Sequence, residues 1–354
     1  MRTPKPGDPT TPFPVRPAAV RAGRTAIAVE LSRTLVTSLV EDAVTAPSMR
    51  NAQPWRFVHR ASSGTVELHG DPARAMPRED PEHRAVHLGC GAALFCLRVA
   101  AAHRGLRPEV RLLPDPSDPW HLADVSMQAA HHRTDALAAL RPALRERHTS
   151  KSPFTKEPVP ARVLEGLCGA AVLEGCRLVV QGAWHADAVL GLVRVAELFR
   201  AAGASAHAEL AIRARAETSA GSAVAEPVPS ITPGPRAYGG AVAVREVDPL
   251  RRLVGRAPAR FGRNSRIALL GTAGDTPEEW LNAGQAMQRV LLQATLDGLS
   301  TSLVSQPLTR PELRCLTRDP VSATGYVHLA IRLGYGPRGR PTPRRDASEV
   351  LRFA

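Results

Sequence analysis

The sequence predicts an α+β fold with an internal duplication. Two long apolar segments each begin at a cap residue followed by proline, Asp80-Pro81 and Thr276-Pro277. Both end at a Gly-Leu pair, at 105–106 and at 298–299. Each long segment follows a shorter helical segment and two strand-like ones, and two more strand-like segments come after it. This repeated order predicts two halves in which helices pack on sheets.

The elements of the first half follow from hydrophobic periodicity and from turn residues. Apolar residues at helical spacing precede a Pro-rich loop, and alternating residues surround Ser62-Ser63-Gly64. The predicted elements are a helix at 35–46, strands at 55–58 and 65–68, a long helix from Pro81 to Gly105, and strands at 109–113 and 122–127.

The second half repeats this plan with an insertion. Pairing the two Gly-Leu ends also pairs Gly91 with Gly284, and Glu279 is placed to complete a capping box with Thr276. The insertion at about 199–262 is rich in Ala, Gly, Pro and Arg, and we interpret it as a lid that is partly helical over 201–216. The predicted elements are a helix at 163–171, strands at 177–180 and 266–270, a long helix from Pro277 to Gly298, and strands at 302–304 and 326–333.

The domain organisation follows directly. We expect a disordered Pro-rich tail at 1–25, a first half at 26–138 and a second half at 139–354. The formal net charge of +13 permits an acidic partner, but the arginines are dispersed and not interleaved with aromatic residues. We therefore predict no nucleic-acid partner.

The cysteines and the apolar runs predict a cytoplasmic protein. The five cysteines form no CxxC pair and lie mostly in apolar surroundings, which is typical of buried thiols in a reducing compartment. No secretory signal is visible in the Pro-rich start. Arg98 interrupts the most apolar run, 92–102, so no membrane span is expected.

The loop from Pro47 to Trp55 is the first candidate for a binding site. Its sequence, Pro-Ser-Met-Arg-Asn-Ala-Gln-Pro-Trp, places hydroxyl, amide and guanidinium groups between two prolines that stiffen the chain. Such a loop suits a flat polar ligand, and it equally suits an ordinary helix-to-strand connection.

A second candidate is basic. Arg147 to Lys151 carries two cations and two hydroxyls within five residues, which suits an anion such as phosphate or a solvated basic turn. The arginines between 338 and 345 either contact the same anion or solubilise the chain end.

Several other kinds of site are not predicted. The chain has no Walker loop, no GxGxxG after a strand and no assignable catalytic triad, so the catalytic residues stay unknown. His83, His87 and Cys90 share one helix face, but no fourth ligand accompanies them, and no metal is predicted. An organic cofactor is then the natural carrier of chemistry, and the polar loop with the basic segment points to a flavin.

These motifs resemble those of a known family. Ser48-x-x-Asn51-x-Gln53-Pro54-Trp55 looks like the flavin loop of the nitroreductase superfamily, and Arg147-x-Thr149-x-Lys151 resembles its opening segment. Gly298-Leu-Ser-Thr301 and Arg344-Arg345 resemble two later motifs, and the likeness spans most of 30–354. The segments 88–94, 113–122 and 217–221 further resemble the Acg-type branch, whose single chains are built like a fused nitroreductase dimer.

The resemblance implies one FMN per chain at the junction of the halves, in a monomer that mimics a homodimer. It implies phosphate contacts from arginines, contacts to the ribityl chain or the pyrimidine edge from Thr149 and Lys151, and a core role for Trp55. The second site is expected to be lost, because 172–177 has no NxQPW and 22–26 matches R-x-T-x-K poorly. The residues expected at the cofactor are Pro47, Ser48, Met49, Asn51, Arg147, Thr149, Lys151, Leu299, Ser300, Arg344 and Arg345.

Two functions fit this resemblance. The first is an oxidoreductase in which FMN takes hydride from NAD(P)H and reduces a small nitroaromatic or quinone-like acceptor. The second is a non-catalytic protein that binds or sequesters FMN beneath its lid. Likeness of fold does not separate them.

Overall fold

The computed structural model describes residues 31–130, 136–202, 266–305, 308–309, 311–318 and 324–354. The predicted tail at 1–25, and the segments 22–26 and 217–221, lie outside the described residues. So does most of the predicted lid. Its first residues, 199–202, are the end of a helix.

The first half has the predicted order of helices and strands. Its long helix, however, begins at Arg84 and not at Pro81, so the predicted start is wrong. His83 has a left-handed backbone (φ 56°) that interrupts the turn, and the Asp80 carboxylate accepts a hydrogen bond from Ala85 N at 2.8 Å. The elements are α1 (Arg33–Ala43), β1 (Trp55–Arg60), β2 (Thr65–Gly70), α2 (Arg84–His103), β3 (Leu106–Leu112) and β4 (His121–Ala129).

The second half contains the predicted helices and strands, together with a 20-residue helix at Ala183–Ala202 and three short helices that were not predicted. Thr276 and Glu279 form the expected capping box at the start of the second long helix. The elements are α3 (Ala143–Glu146), α4 (Ala161–Val172), β5 (Arg177–Val180), α5 (Ala183–Ala202), β6 (Arg266–Thr272), α6 (Pro277–Leu296), β7 (Ser300–Val304), α7 (Pro311–Arg314), β8 (Tyr326–Gly334), α8 (Ala347–Val350) and β9 (Leu351–Phe353).

The strands form two sheets of related topology. One has the order β3-β4-β2-β1-β9, and the other has the order β5-β6-β8-β7. The short strand β9 was not predicted; it comes from the chain end and pairs in parallel with β1. The second half of the sequence therefore completes the sheet of the first half.

The long helices α2 and α6 pack against each other in the core. At their crossing, a Cβ built on Gly91 meets Leu281 O at 2.3 Å, and one built on Gly284 meets Leu88 O at 2.3 Å. Only glycine permits this backbone approach. The crossing therefore joins the two glycines that the sequence comparison had paired.

Helix α2 is long and apolar enough to cross a membrane, judged by length and composition alone. In this fold, however, 83% of its most apolar 18-residue stretch is buried inside the protein. A helix buried in this way is a core helix, and Trp55 is likewise fully buried in the core, as expected.

Candidate functional site

A cavity of about 190 Å³ lies between residues of the two halves. It brings together eight of the predicted site residues: Pro47, Ser48, Met49, Asn51, Arg147, Thr149, Lys151 and Arg344. The other three, Leu299, Ser300 and Arg345, do not line it and are buried nearby. Three separate sequence segments, the polar loop, the basic segment at Arg147 and the C-terminal arginine segment, therefore meet at one cavity.

The loop from Pro47 to Trp55 has an unusual backbone. Arg50, Asn51 and Gln53 all have positive φ, at 49°, 56° and 49°. For residues with a Cβ this conformation is unfavourable by roughly 1 kcal/mol or more each, so neighbouring groups must hold it. Ser48 Oγ accepts a hydrogen bond from Gln53 N at 2.8 Å inside the loop.

The C-terminal segment fastens this loop. The amide of Asn51 donates to Pro343 O at 3.0 Å and accepts from Arg344 Nη1 at 3.0 Å. Gln53 Oε1 accepts from Arg345 N at 2.8 Å, and the Arg345 guanidinium donates to Gln53 O at 3.4 Å and pairs with Glu349. Arg344 thus reaches the cavity, whereas Arg345 anchors the C-terminal segment to the loop.

The basic segment at Arg147 is held by the second sheet. Thr149 forms an isolated parallel β-bridge with Thr301, which is a residue of β7. Ser150 N donates to Thr301 O at 2.8 Å. Ser300 Oγ donates to Gly336 O at 2.8 Å. The motif at 298–301 therefore positions the two basic segments and does not line the cavity.

Arg147 is buried, and Arg344 lies half-buried beside it. Both donate from Nη2 to Thr45 O, at 3.3 and 3.4 Å. Burial lowers the pKa of Arg147, and burial together with the charge of Arg147 lowers the pKa of Arg344 to about 10. Among the described residues, neither has an ion-pair partner, and Arg147 Nε, Arg147 Nη1 and Arg344 Nε have no hydrogen-bond acceptor. This end of the cavity therefore presents buried hydrogen-bond donors and positive charge, a combination that favours binding of an anion.

The other end of the cavity contains a polar cluster that the sequence did not reveal, and there Arg84 Nε has no hydrogen-bond acceptor among the described residues. Arg84 Nη2 lies 2.6 Å from His328 Nδ1 and 3.2 Å from Asp275 Oδ1. His328 Nε2 contacts the hydroxyl of Thr272, which donates to Gly274 O at 2.7 Å. Burial and the Arg84 charge lower the pKa of His328 to about 3, so this imidazole is neutral at physiological pH.

Other lining residues were not predicted at the site. Asp80 was predicted only as a helix cap, and the folding of the chain brings it to the cavity. Burial raises the pKa of its carboxyl group, which accepts a hydrogen bond from Ala85 N. The lining residues beyond the eight predicted ones are Arg50, Asp80, Arg84, Ala85, Leu88, Gly89, His148, Met287, Leu303, Ser305, Leu308, Thr309, His328, Leu329, Arg340 and Thr342.

Comparison with known proteins places the chain in a family, although no family model matches it. A crystal structure of a "putative nitroreductase" from Anabaena variabilis aligns with 92% of this chain and 94% of that one, at 10% identity and a TM-score of 0.47. The FMN-dependent nitroreductase NfnB from Mycobacterium smegmatis aligns with 62% of this chain and 100% of that one, at 16% identity and a TM-score of 0.34.

The sequence relatives are more informative. The Mycobacterium tuberculosis protein named "Putative NAD(P)H nitroreductase acg" is 29% identical, over 90% of this chain and 95% of the relative. Another from the same organism, "Putative NAD(P)H nitroreductase Rv3131", is 32% identical over 333 residues, which is 92% of each chain. Likeness at this level and over this length shows that the chain belongs to the nitroreductase family.

Proposed function

We propose that the cavity binds one FMN per chain, with its phosphate at Arg147 and Arg344. The observation that carries this proposal is the pair of buried guanidiniums with unpartnered donors. A buried donor without an acceptor is unfavourable by roughly 1 to 3 kcal/mol, and by more when it is charged. A phosphate dianion offers several acceptor oxygens and neutralises both charges, so the residues present fit the group.

A second arginine pair shows how this protein satisfies such donors internally. Glu174, which is fully buried, accepts from Arg98 Nη1 at 2.7 Å and from Arg289 Nη1 at 2.6 Å. The pair at the cavity has no such carboxylate among the described residues. This contrast supports an external anion at Arg147 and Arg344.

The single site follows from a duplicated fold with unequal halves. The related strand orders and the crossing at Gly91 and Gly284 support the duplication. In the second half, α4 runs into β5 through a turn of only four residues, 173–176, which has no counterpart of the polar loop. We therefore infer a monomer that carries the interface of a family dimer inside one chain.

A bound FMN would supply hydride chemistry at N5, between NAD(P)H and a nitroaromatic or quinone-like acceptor, and this chain's own residues would hold and orient it. Ser48 and Asn51 orient the cofactor from the loop, Thr149 and Lys151 do so from the basic segment, and Lys151 adds a positive charge to the cavity wall. His328 donates no proton to the cavity, because both its nitrogens are engaged by Arg84 and Thr272.

The decisive experiment is an anaerobic titration of the purified protein with NADPH, followed by absorbance. We expect one oxidised flavin per chain, bleached by NADPH and restored by menadione or nitrofurazone. Two flavins per chain would contradict the single site. Flavin that stays oxidised in excess NADPH would leave binding intact and support the non-catalytic, sequestering alternative.

The residues are tested by replacing Arg147 and Arg344 with alanine, singly and together. Each charge-assisted contact contributes roughly 1.5 to 3 kcal/mol, so we expect at least tenfold weaker FMN binding for each variant and colourless protein for the double variant. Arg338→Ala is the matched control, since this exposed arginine pairs with Glu146 and does not line the cavity. Equal FMN affinity in all four variants would exclude the proposed phosphate position.

A further inference from the structure

A cluster of metal-ligating side chains lies on the first sheet, outside the cavity. Side chains two residues apart in a strand share a face, which places Glu67 beside His69 on β2. Strand pairing sets His121 opposite His69 and Asp124 opposite Glu67. The register shifts between Leu68 and His69, and this irregularity brings the two histidines opposite each other.

The donor atoms of this cluster converge. One ligand atom from each of Glu67, His69 and His121 lies within 4.8 Å of the other two. The two imidazole rings stack with their centroids 4.4 Å apart, and His69 Nε2 lies 3.0 Å from Glu67 Oε2. His121 Nε2 lies 2.8 Å from Asp124 Oδ1. The side chains are half-buried, so a cation can reach them from solvent.

We propose that Glu67, His69 and His121 bind a Zn²⁺ ion, with Asp124 as an additional carboxylate beside His121. Imidazole nitrogen and carboxylate oxygen are ligands that Zn²⁺ takes at about 2.0–2.2 Å. Two such bonds span at most about 4.4 Å, so small side-chain rotations bring the three ligand atoms into range of one ion. Three protein ligands leave a coordination position open to water or to an exogenous group.

The charge balance of the cluster favours a cation. Glu67 is the acidic member of the cluster, and its carboxylate pairs with Arg60 of β1. Arg60 Nε lies 2.7 Å from Glu67 Oε1, which leaves Glu67 Oε2 facing His69. Asp118 Oδ2 lies 4.0 Å from His69 Nδ1 and adds negative charge.

The fold itself does not require this cluster. The second sheet has a matching register shift, between Leu270 and Gly271. Aligning the two registers sets Leu269, Gly271, Val327 and Ala330 at the positions of Glu67, His69, His121 and Asp124. One sheet therefore carries four polar groups where its counterpart carries none.

The test is isothermal titration of the full chain, treated with EDTA and dialysed, with ZnCl₂ and separately with MgCl₂. We expect one saturable Zn²⁺ site, no Mg²⁺ binding, and a rise in unfolding temperature with Zn²⁺. His69→Gln, His121→Gln and Glu67→Gln are each expected to weaken binding roughly tenfold or more. The matched control, His103→Gln, changes an exposed histidine at the end of α2 and leaves binding unchanged.

Two further measurements keep the outcome decisive. Unfolding of each variant in EDTA should match that of the parent chain, which separates ligand loss from misfolding. Co²⁺ in place of Zn²⁺ should show no thiolate-to-metal absorption, which excludes exposed Cys315 as the ligand. Absence of saturable binding, or equal affinity in the parent and all three ligand variants, would overturn the proposal.

Discussion

The two sheets share a strand order and a register shift, yet they differ in what surrounds them. Aligned by register, β1 to β4 correspond to β5 to β8, and both sheets slip by one residue at the same place. The first sheet gains β9 on its β1 edge from the chain end. In the second sheet β8 is buried on both faces, whereas β4 has exposed and half-buried positions. One architecture thus supports two different environments.

The connections that lead into these sheets differ even more. The chain from α1 to β1 includes three non-glycine residues with positive φ and lines the cavity. The chain from α4 to β5 turns at Gly175 (φ 76°) and brings its own carboxylate, Glu174, to two arginines. Among the described residues, arginines beside the first connection have donors without an acceptor, whereas Glu174 of the second connection accepts from two arginines. The two connections therefore give the arginines beside them different environments.

The largest expected effect is at the crossing of α2 and α6, to which each half contributes one glycine. Gly91→Ala and Gly284→Ala each force a methyl group against a backbone carbonyl on the facing helix. We expect each to lower the free energy of unfolding by about 3 kcal/mol, measured by urea denaturation. The control is Gly166→Ala on α4, where nothing lies within 4 Å and alanine should stabilise the helix. A tolerated change at Gly91 would break the symmetry that we infer.

A smaller effect distinguishes the sheets through pH. Register alignment places buried His328 of β8 where β4 has buried Leu122. Because the pKa of His328 is lowered to about 3, the unfolded chain binds a proton below pH 6.5 that the native protein does not. The stabilisation is complete above that pH and is lost as the pH falls toward 3.

This loss is about 2 kcal/mol between pH 7 and pH 5. Denaturant titrations across that range should show a shallower dependence for His328→Gln than for the parent chain. His103→Gln, at an exposed position, should keep the parent's slope. Identical slopes for all three proteins would mean that His328 titrates alike in the folded and unfolded states.

The smallest effect compares the two connections directly. Asn51→Gly keeps the left-handed backbone but removes two hydrogen bonds, so we expect about 1 kcal/mol of destabilisation and weaker FMN binding. Asn51→Ala should add about 1 kcal/mol of backbone strain. Gly175→Ala should show a similar strain but leave FMN affinity unchanged, as followed by flavin fluorescence. A flavin defect in Gly175→Ala would argue against the difference between the connections.

Much of the fold was predictable because it depends on local patterns. Periodicity and caps placed the long helices and most strands, and the bounds of β5 were predicted without error. The predicted start of α2 was wrong because His83 has a left-handed backbone and the helix begins only after it. Asp80 accepts a hydrogen bond from Ala85 N across this interruption, and no local sequence pattern indicates the interruption. Strand β9 was missed because three residues are too few for alternation to be detected.

The candidate site was predictable only in part. Three motifs supplied eight cavity residues, since hydroxyl, amide and guanidinium groups at fixed spacing are visible in sequence. Leu299 and Ser300 were expected at the flavin. In the structure their segment contacts Thr149 and the backbone at Gly336, and neither residue lines the cavity. The cytoplasmic location and the lid remain predictions.

The sequence by itself determined the α+β elements, the glycine pairing between the long helices and the two basic and polar motifs. Tertiary structure alone decided that Arg147 and Arg344 meet at Thr45, with no ion-pair partner among the described residues, and that Glu174 accepts from Arg98 and Arg289. It also decided that His69 faces His121. Local patterns fix helices and strands because they act within a few residues. Charges and ligands converge only when the register of sheets and the crossing of helices bring distant residues together.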